Sequence, residues 1–150
     1  MDQTDLRILN ALQDDPGASA AQVASVVGLS HTPCWRRIRR LEETGVIRGR
    51  ELVLDPDALG LTISVFAEIR LRQHDEDTLE AFESAARARP EVVECFSMSG
   101  EADYLLRIVV ASVADYELFL KKVLLHLPGA GAVSSRFALK KVKLTGRLPI

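Results

Sequence analysis

The chain has 150 residues, 47% hydrophobic and 27% charged, with a net charge of −2; this is ordinary globular composition, enough for one domain or two small ones, and it argues against disorder. No apolar run approaches the ~18 residues of a membrane span. Asp2 and Asp5 stand where an export signal would carry positive charge, so a cytoplasmic protein is expected. The two cysteines, Cys34 and Cys95, lie far apart, which fits a reduced pair better than a disulfide framework.

From the N-terminus, Leu6, Leu9 and Leu12 recur at helical spacing over Asp5–Leu12, with Ile8 widening the stripe, until Asp14-Asp15-Pro16-Gly17 breaks it. Ser19-Ala-Ala-Gln22 reads as a capping box for a short helix carrying Val23, Val26 and Val27, and Gly28 stops that helix. Ser30 is the next N-cap, Pro33 is tolerated in the first turn, and a third helix runs to about Thr44 before Gly45. Two helices joined by a three- to four-residue turn that contains Gly have the helix-turn-helix layout. Val46-Ile47 and Leu52-Val53-Leu54 read as a short β pair in the position of a wing.

The second half follows a different pattern. Strands are expected at Thr62–Arg72, Val92–Ser99, Tyr104–Ala111 and Val133–Leu144. One helix carries Leu79, Phe82, Ala85 and Ala86, and another runs through Tyr116, Phe119, Leu120, Val123 and Leu127. The order βαββαβ is the ferredoxin-like arrangement, with helices on one face of an antiparallel sheet. The fold class is thus α+β: a winged helix-turn-helix over 1–55, a hinge over 56–61 and a βαββαβ domain over 62–150.

Charge is concentrated in the third helix. Ser30–Leu41 holds Arg36, Arg37, Arg39 and Arg40 with His31 and no acid, whereas Arg7 alone faces four aspartates before it. At 100° per residue, Cys34, Ile38 and Leu41 share one face; Thr32, Pro33, Arg36 and Arg40 fall opposite, with Arg39 on the flank. The second helix of such a motif presents its N-terminal residues to the major groove. Arginine can grip guanine O6 and N7, while Ser, Thr and helix N-terminal amides suit phosphate. Ser30, His31, Thr32, Pro33, Arg36, Arg37, Arg39 and Arg40 are therefore the candidate contacts to double-stranded DNA. The bland alternative is a solvated face with Glu42 and Glu43 as local partners. Trp35 lies between the faces and is expected to support packing.

"MDQTDLRILNAL" (Met1–Leu12) with "LSHTPCWRRIRRLEETGVIRG" (Leu29–Gly49) resembles the DNA-binding half of the Lrp/AsnC, or feast/famine, regulators. "PEVVECFSMSGEADYLLRI" (Pro90–Ile108) resembles that family's effector-sensing signature. The resemblance implies dimers formed through the βαββαβ domain, assembly into tetramers or octamers, and an amino acid or related metabolite bound near Gly100–Asp103. It points to Gly100, Asp103 and Tyr104, with Met98 and Ser99 leading into the turn. Taken by themselves, Gly100 would let backbone approach a ligand and Asp103 would accept from an ammonium, or the two simply build a hairpin turn. The stretch Gly129–Lys143 departs from the commoner family pattern; Ser134 or Ser135 is the hydroxyl candidate there.

Other chemistry is thinly represented. His31 and Cys34 are three apart, but no second His/Cys pair accompanies them, so no metal site is expected. Cys95 is expected to be a small core residue, and Lys140, Lys141 and Lys143 a solvated edge on the last strand. No Ser/His/Asp or Cys/His constellation or phosphate-binding glycine loop is evident, and His31, His74 and His126 are scattered, so neither an enzyme nor a cofactor is expected. The alternatives to an effector-responsive regulator are an effector-independent architectural DNA-binding protein and a small-molecule module acting through a protein partner.

Overall fold

A computed structural model describes residues 1–150. It divides into two units, Met1–Val53 with Lys143–Ile150, and Leu54–Val142. The sequence pattern groups residues 62–150 as one domain, and the contacts of the chain divide its C-terminal end differently. The last eight residues belong with the first unit, where Asn10 donates to the Ile150 carbonyl and Gln13 bonds both the amide and the carbonyl of Leu148. Arg147 pairs with Asp14 in the same segment.

The first unit is built on three helices: α1 (Gln3–Asp14), α2 (Ala20–Val27) and α3 (His31–Glu43). Local signals set their ends. Asp2 and Asp5 form a capping box on α1, and Ser19 and Gln22 form the expected one on α2. Gly28 takes φ +71° as the left-handed C-cap of α2, a conformation that favours glycine. The core joins Ile8, Leu12, Val23, Ala24, Val27, Cys34, Ile38 and Leu41. Ile8 sits at the centre of the α1 stripe, while Leu6 and Leu9 are only partly buried. Val26 is exposed, since Val23 and Val27 already occupy the inward face of so short a helix.

Two expectations for this unit fail. The β pair at 46–47 and 52–54 does not form: Ile47 packs on the core and its N–H reaches the Leu41 carbonyl, but Leu52, Val53 and Leu54 are exposed with no partner strand. Arg50 instead ties this extended segment to the Pro16 carbonyl at 2.8 Å. Trp35 is 48% exposed and outside the core, because Cys34 and Ile38 fill the inward positions on either side of it.

The second unit contains β1 (Ile63–Leu71), α4 (Glu76–Arg87), β2 (Val92–Ser97), β3 (Tyr104–Val110), α5 (Val113–Lys122), a 3₁₀ turn (Leu124–His126) and β4 (Ala130–Phe137). The βαββαβ order closes into one antiparallel sheet in the order β2-β3-β1-β4. Period-two alternation sends Val65, Ala67 and Ile69 with Leu106 and Ile108 to one face, where Phe82, Ala86, Tyr116 and Phe119 cover them. β4 ends at Phe137, seven residues short of the expected Leu144. Lys140, Lys141 and Lys143 therefore follow the strand, and Lys141 pairs with Asp57 at 3.3 Å.

The opposite sheet face has no helix over it. Phe66 and Phe96 are exposed there, interleaved with the Arg107–Glu94 pair at 3.2 Å and the Arg136–Glu68 pair at 3.0 Å. Phe66 lies in register with Arg107 and Arg136, and Leu105 with Phe96 and Glu68, so apolar and charged side chains alternate across the strands.

Candidate functional site

The N-terminus of α3 is open by construction. Ser30 occupies the N-cap position with extended backbone, yet its hydroxyl makes no capping bond. The residue that would normally donate to it, three positions on, is Pro33, which has no N–H. The first turn therefore keeps an uncommitted hydroxyl and unpaired amides, the features that receive a phosphate oxygen. Ser30, His31, Thr32 and Pro33 are all exposed.

The four arginines of α3 divide into two pairs. Arg36 is exposed and pairs with no acid. Arg39 lies 5.9 Å over the Trp35 ring and only loosely approaches Glu42, at 3.6 Å. Arg37 and Arg40 are committed to α1. Arg37 Nη1 donates to Asp2 Oδ2 at 2.7 Å and Asp5 Oδ1 at 2.8 Å, and Arg40 Nη2 donates to Asp5 Oδ2 at 2.7 Å. Asp5 is completely buried, the one buried charged side chain in the molecule. Arg37 thus belongs to the fold of the unit, not to its free surface. Arg40 points outward as the helical wheel indicates, but it is held by the same carboxylate.

The electrostatics agree with this geometry. The Arg37 bond and the Asp5 amide hold Asp2 at about 2, against an ordinary 3.8. Burial pushes Asp5 upward, but the Asp2 amide, the Arg37 bond and the charge of Arg40 outweigh it, and its pKa lies below the usual value. The sequence reading missed this network. Its signal was present, since two aspartates three apart face two arginines three apart, but nothing local says that these pairs meet.

In the second unit, Met98, Ser99 and Gly100 form an exposed turn, closed by the Met98 amide on the Asp103 carbonyl at 2.9 Å. Gly100 has φ +113°, which is why a glycine stands there. The Asp103 carboxylate is already employed: Oδ2 accepts the Leu71 amide at 2.7 Å and Oδ1 bonds His74 Nε2 at 2.9 Å. The Leu71 bond, opposed by partial burial and helped by His74 and Arg70, lowers its pKa. Arg70 caps the same turn through the Glu101 carbonyl at 2.6 Å and carboxylate at 3.1 Å.

Tyr104 leaves the turn altogether. It is buried under α4, its ring 4.5 Å from Phe82 and its hydroxyl donating to Glu83 Oε1 at 2.8 Å; burial and that carboxylate push its pKa up to about 12. It lines a cleft of about 470 Å³ between α4 and the edge strand β2, with Arg87, Ser97 and Cys95. Cys95 is exposed in this cleft and is not a core residue, because β2 is an edge strand that no further strand covers. The two serines of β4 fall on opposite faces: Ser135 bonds the Tyr116 hydroxyl under the helices, while Ser134 is exposed on the uncovered face opposite Glu68.

A three-helix unit with an open recognition helix, joined to a βαββαβ unit, defines a two-domain, DNA-binding class of protein. Residues 1–48 match the "Winged helix-turn-helix DNA-binding" family and residues 64–148 the "Lrp/AsnC ligand binding domain" family. The chain is 43% identical to the Bkd operon transcriptional regulator of Pseudomonas aeruginosa over 100% of its own length and 98% of that protein. An AsnC family transcriptional regulator from Agrobacterium tumefaciens superposes with a TM-score of 0.94 at 44% identity, covering 99% of this chain and 97% of that one. A transcriptional regulator from Neisseria meningitidis, solved as a complex with L-Met, gives a TM-score of 0.94 at 34% identity over 99% and 96%. The chain belongs to the Lrp/AsnC family of transcription regulators.

Proposed function

We propose that this protein binds duplex DNA at specific sequences as a homodimer, or as an assembly of dimers, and that an amino acid or related small metabolite modulates it. The observation that carries the reading is the outward face of α3, where unpaired Arg36 stands beside the exposed Ser30–Pro33 turn. In this reading Arg36 and Arg39, exposed and without a close acid partner, contact base edges. Ser30, His31, Thr32 and the first-turn amides, exposed and uncommitted, are then its phosphate contacts.

Dimerisation is supported by the uncovered sheet face, whose Phe66 and Phe96 are exposed to water in the isolated chain. Two recognition helices in a dimer predict a roughly palindromic operator. The effector reading is supported by the ligand-binding family match and by the L-Met complex of the Neisseria regulator. Within this chain the exposed turn Met98–Gly100 and Ser134 are open to such a ligand, Asp103 meets it with the lone pairs that Leu71 and His74 leave free, and Tyr104 and Ser135 shape the interior behind them. A ligand acts only through different affinities for two assembly states.

The test is light-scattering mass of the purified chain, alone and with each amino acid, beside binding to duplexes selected from a random pool. A dimer or a multiple of it, a selected palindromic sequence and a change with one amino acid are the expected results. Failure to enrich any sequence would sink the specific-binding claim, and indifference to every amino acid would sink the effector claim.

A further inference from the structure

We propose that Asp2 and Asp5 form a charge clamp that withdraws Arg37 and Arg40 from DNA, so that α3 meets the duplex with two free arginines instead of four. This rests on the DNA-binding reading of α3. Three bonds of 2.7–2.8 Å join the two carboxylates to the two guanidiniums. The central partner, Asp5, has no exposed surface and is fixed further by the Asp2 amide at 3.0 Å. A buried carboxylate that loses its cations remains unsatisfied, so the exchange of Asp5 for a phosphate is opposed. Arg36 and Arg39 have no such partner, since the only acid near either is Glu42 at 3.6 Å from Arg39.

The consequence is specificity. Affinity for DNA of any sequence grows with each phosphate a cation neutralises, and every such contact adds ~0.9 to the slope of log affinity against log salt. A helix with four free arginines in five positions would hold any duplex strongly and blunt the advantage of the correct one. Neutralising two of them from behind lowers the indiscriminate component while leaving the reading residues in place. The clamp also explains why Arg-rich α3 occurs in a chain whose first helix is acidic.

The experiment measures anisotropy of a fluorescein-labelled duplex of random sequence, titrated with the full chain over a series of potassium chloride concentrations. The clamp predicts that Asp5→Asn, which frees Arg40 while Asp2 still holds Arg37, steepens the salt slope by ~0.9 per engaged recognition helix, equivalent to about a 3.5-fold larger loss of affinity for a fourfold rise in salt. It also predicts that Arg37→Ala and Arg40→Ala, each with Asp5 intact, leave the slope unchanged. A slope flattened by ~0.9 in either arginine variant would show that residue on phosphate and overturn the clamp. An unchanged slope in Asp5→Asn, with the fold verified by Trp35 emission, would overturn it as well. Should Asp5→Asn fail to fold, the two arginine variants decide the matter alone. No binding by the unaltered chain would remove the DNA reading and the clamp together. Intact binding that Arg36→Ala weakens, with the slopes against expectation, removes the clamp only.

Discussion

The two units place their ionic groups differently. In the first, a carboxylate with no exposed surface sits beneath the recognition helix and holds two arginines. In the second, the pairs Arg136–Glu68, Arg70–Glu101 and Lys121–Glu117 lie at the surface, and the core beneath them is apolar. A small three-helix unit has few apolar residues to spare, and here it orients its third helix with charge. The four-stranded sheet is positioned by ladders and packing, so its charges are free to serve its surface. The difference can be broken experimentally because the probes separate: the single tryptophan, Trp35, lies in the first unit and both tyrosines, Tyr104 and Tyr116, in the second.

The largest effect is expected from Asp5→Ala. It removes the acceptor of the Asp2 amide and the charge-assisted bonds to Arg37 and Arg40, whose guanidiniums remain solvated, and should cost about 2–4 kcal/mol. In urea, Trp35 emission should report early unfolding while the tyrosine signal holds its midpoint. Coincident shifts of both signals would show that the two units unfold together and that the contrast between them does not extend to stability.

Arg36→Ala is next, with a loss of about 1–3 kcal/mol at a selected operator and little change in the urea midpoint. Equal weakening on unrelated duplexes would reassign Arg36 to phosphate. In the second unit, Asp103→Ala strips the Leu71 amide of its acceptor, about 1–2 kcal/mol by tyrosine-detected unfolding. The same change should remove the response to the amino acid while duplex binding by the unliganded protein persists. A retained response would take Asp103 out of the effector site.

Acid offers a finer distinction. The Asp2 pKa falls from 3.8 to about 2 on folding, so its contribution is present above about 4 and is lost as the pH drops towards 2. The stability of the first unit, followed by Trp35, should therefore decline across that window. The smallest effect belongs to Arg136→Ala, whose exposed pair with Glu68 should contribute about 0–1 kcal/mol. A loss as large as that of Asp5→Ala would erase the contrast between the units.

Much of this architecture is legible without coordinates. The Ser19/Gln22 capping box, the Gly28 stop and the inward Cys34, Ile38 and Leu41 are local features, and they occur where spacing puts them. The order βαββαβ follows from a period that switches between two and 3.6. Errors gather where local propensity had no partner to satisfy. Leu52–Leu54 and the stretch beyond Phe137 have strand-like composition but find no ladder, and Trp35 is apolar but outward.

The residues of the candidate sites divide along the same line. That α3 is basic and begins after Ser30 is written in the sequence, because caps and charge act within one helical turn; that the Ser30 hydroxyl makes no capping bond emerged only in the structure. Which arginines remain free was decided only in three dimensions, by carboxylates 32–35 residues away that the packing of α1 on α3 brings within 2.8 Å. The same holds for Ser134 and Ser135, adjacent in sequence but sent to opposite faces by the register of β4 on β1. Short-range chemistry fixed the helix starts and stops such as Ser19 and Gly28; pairing across the fold, which no local window contains, decided which strands form and assigned each polar group its partner.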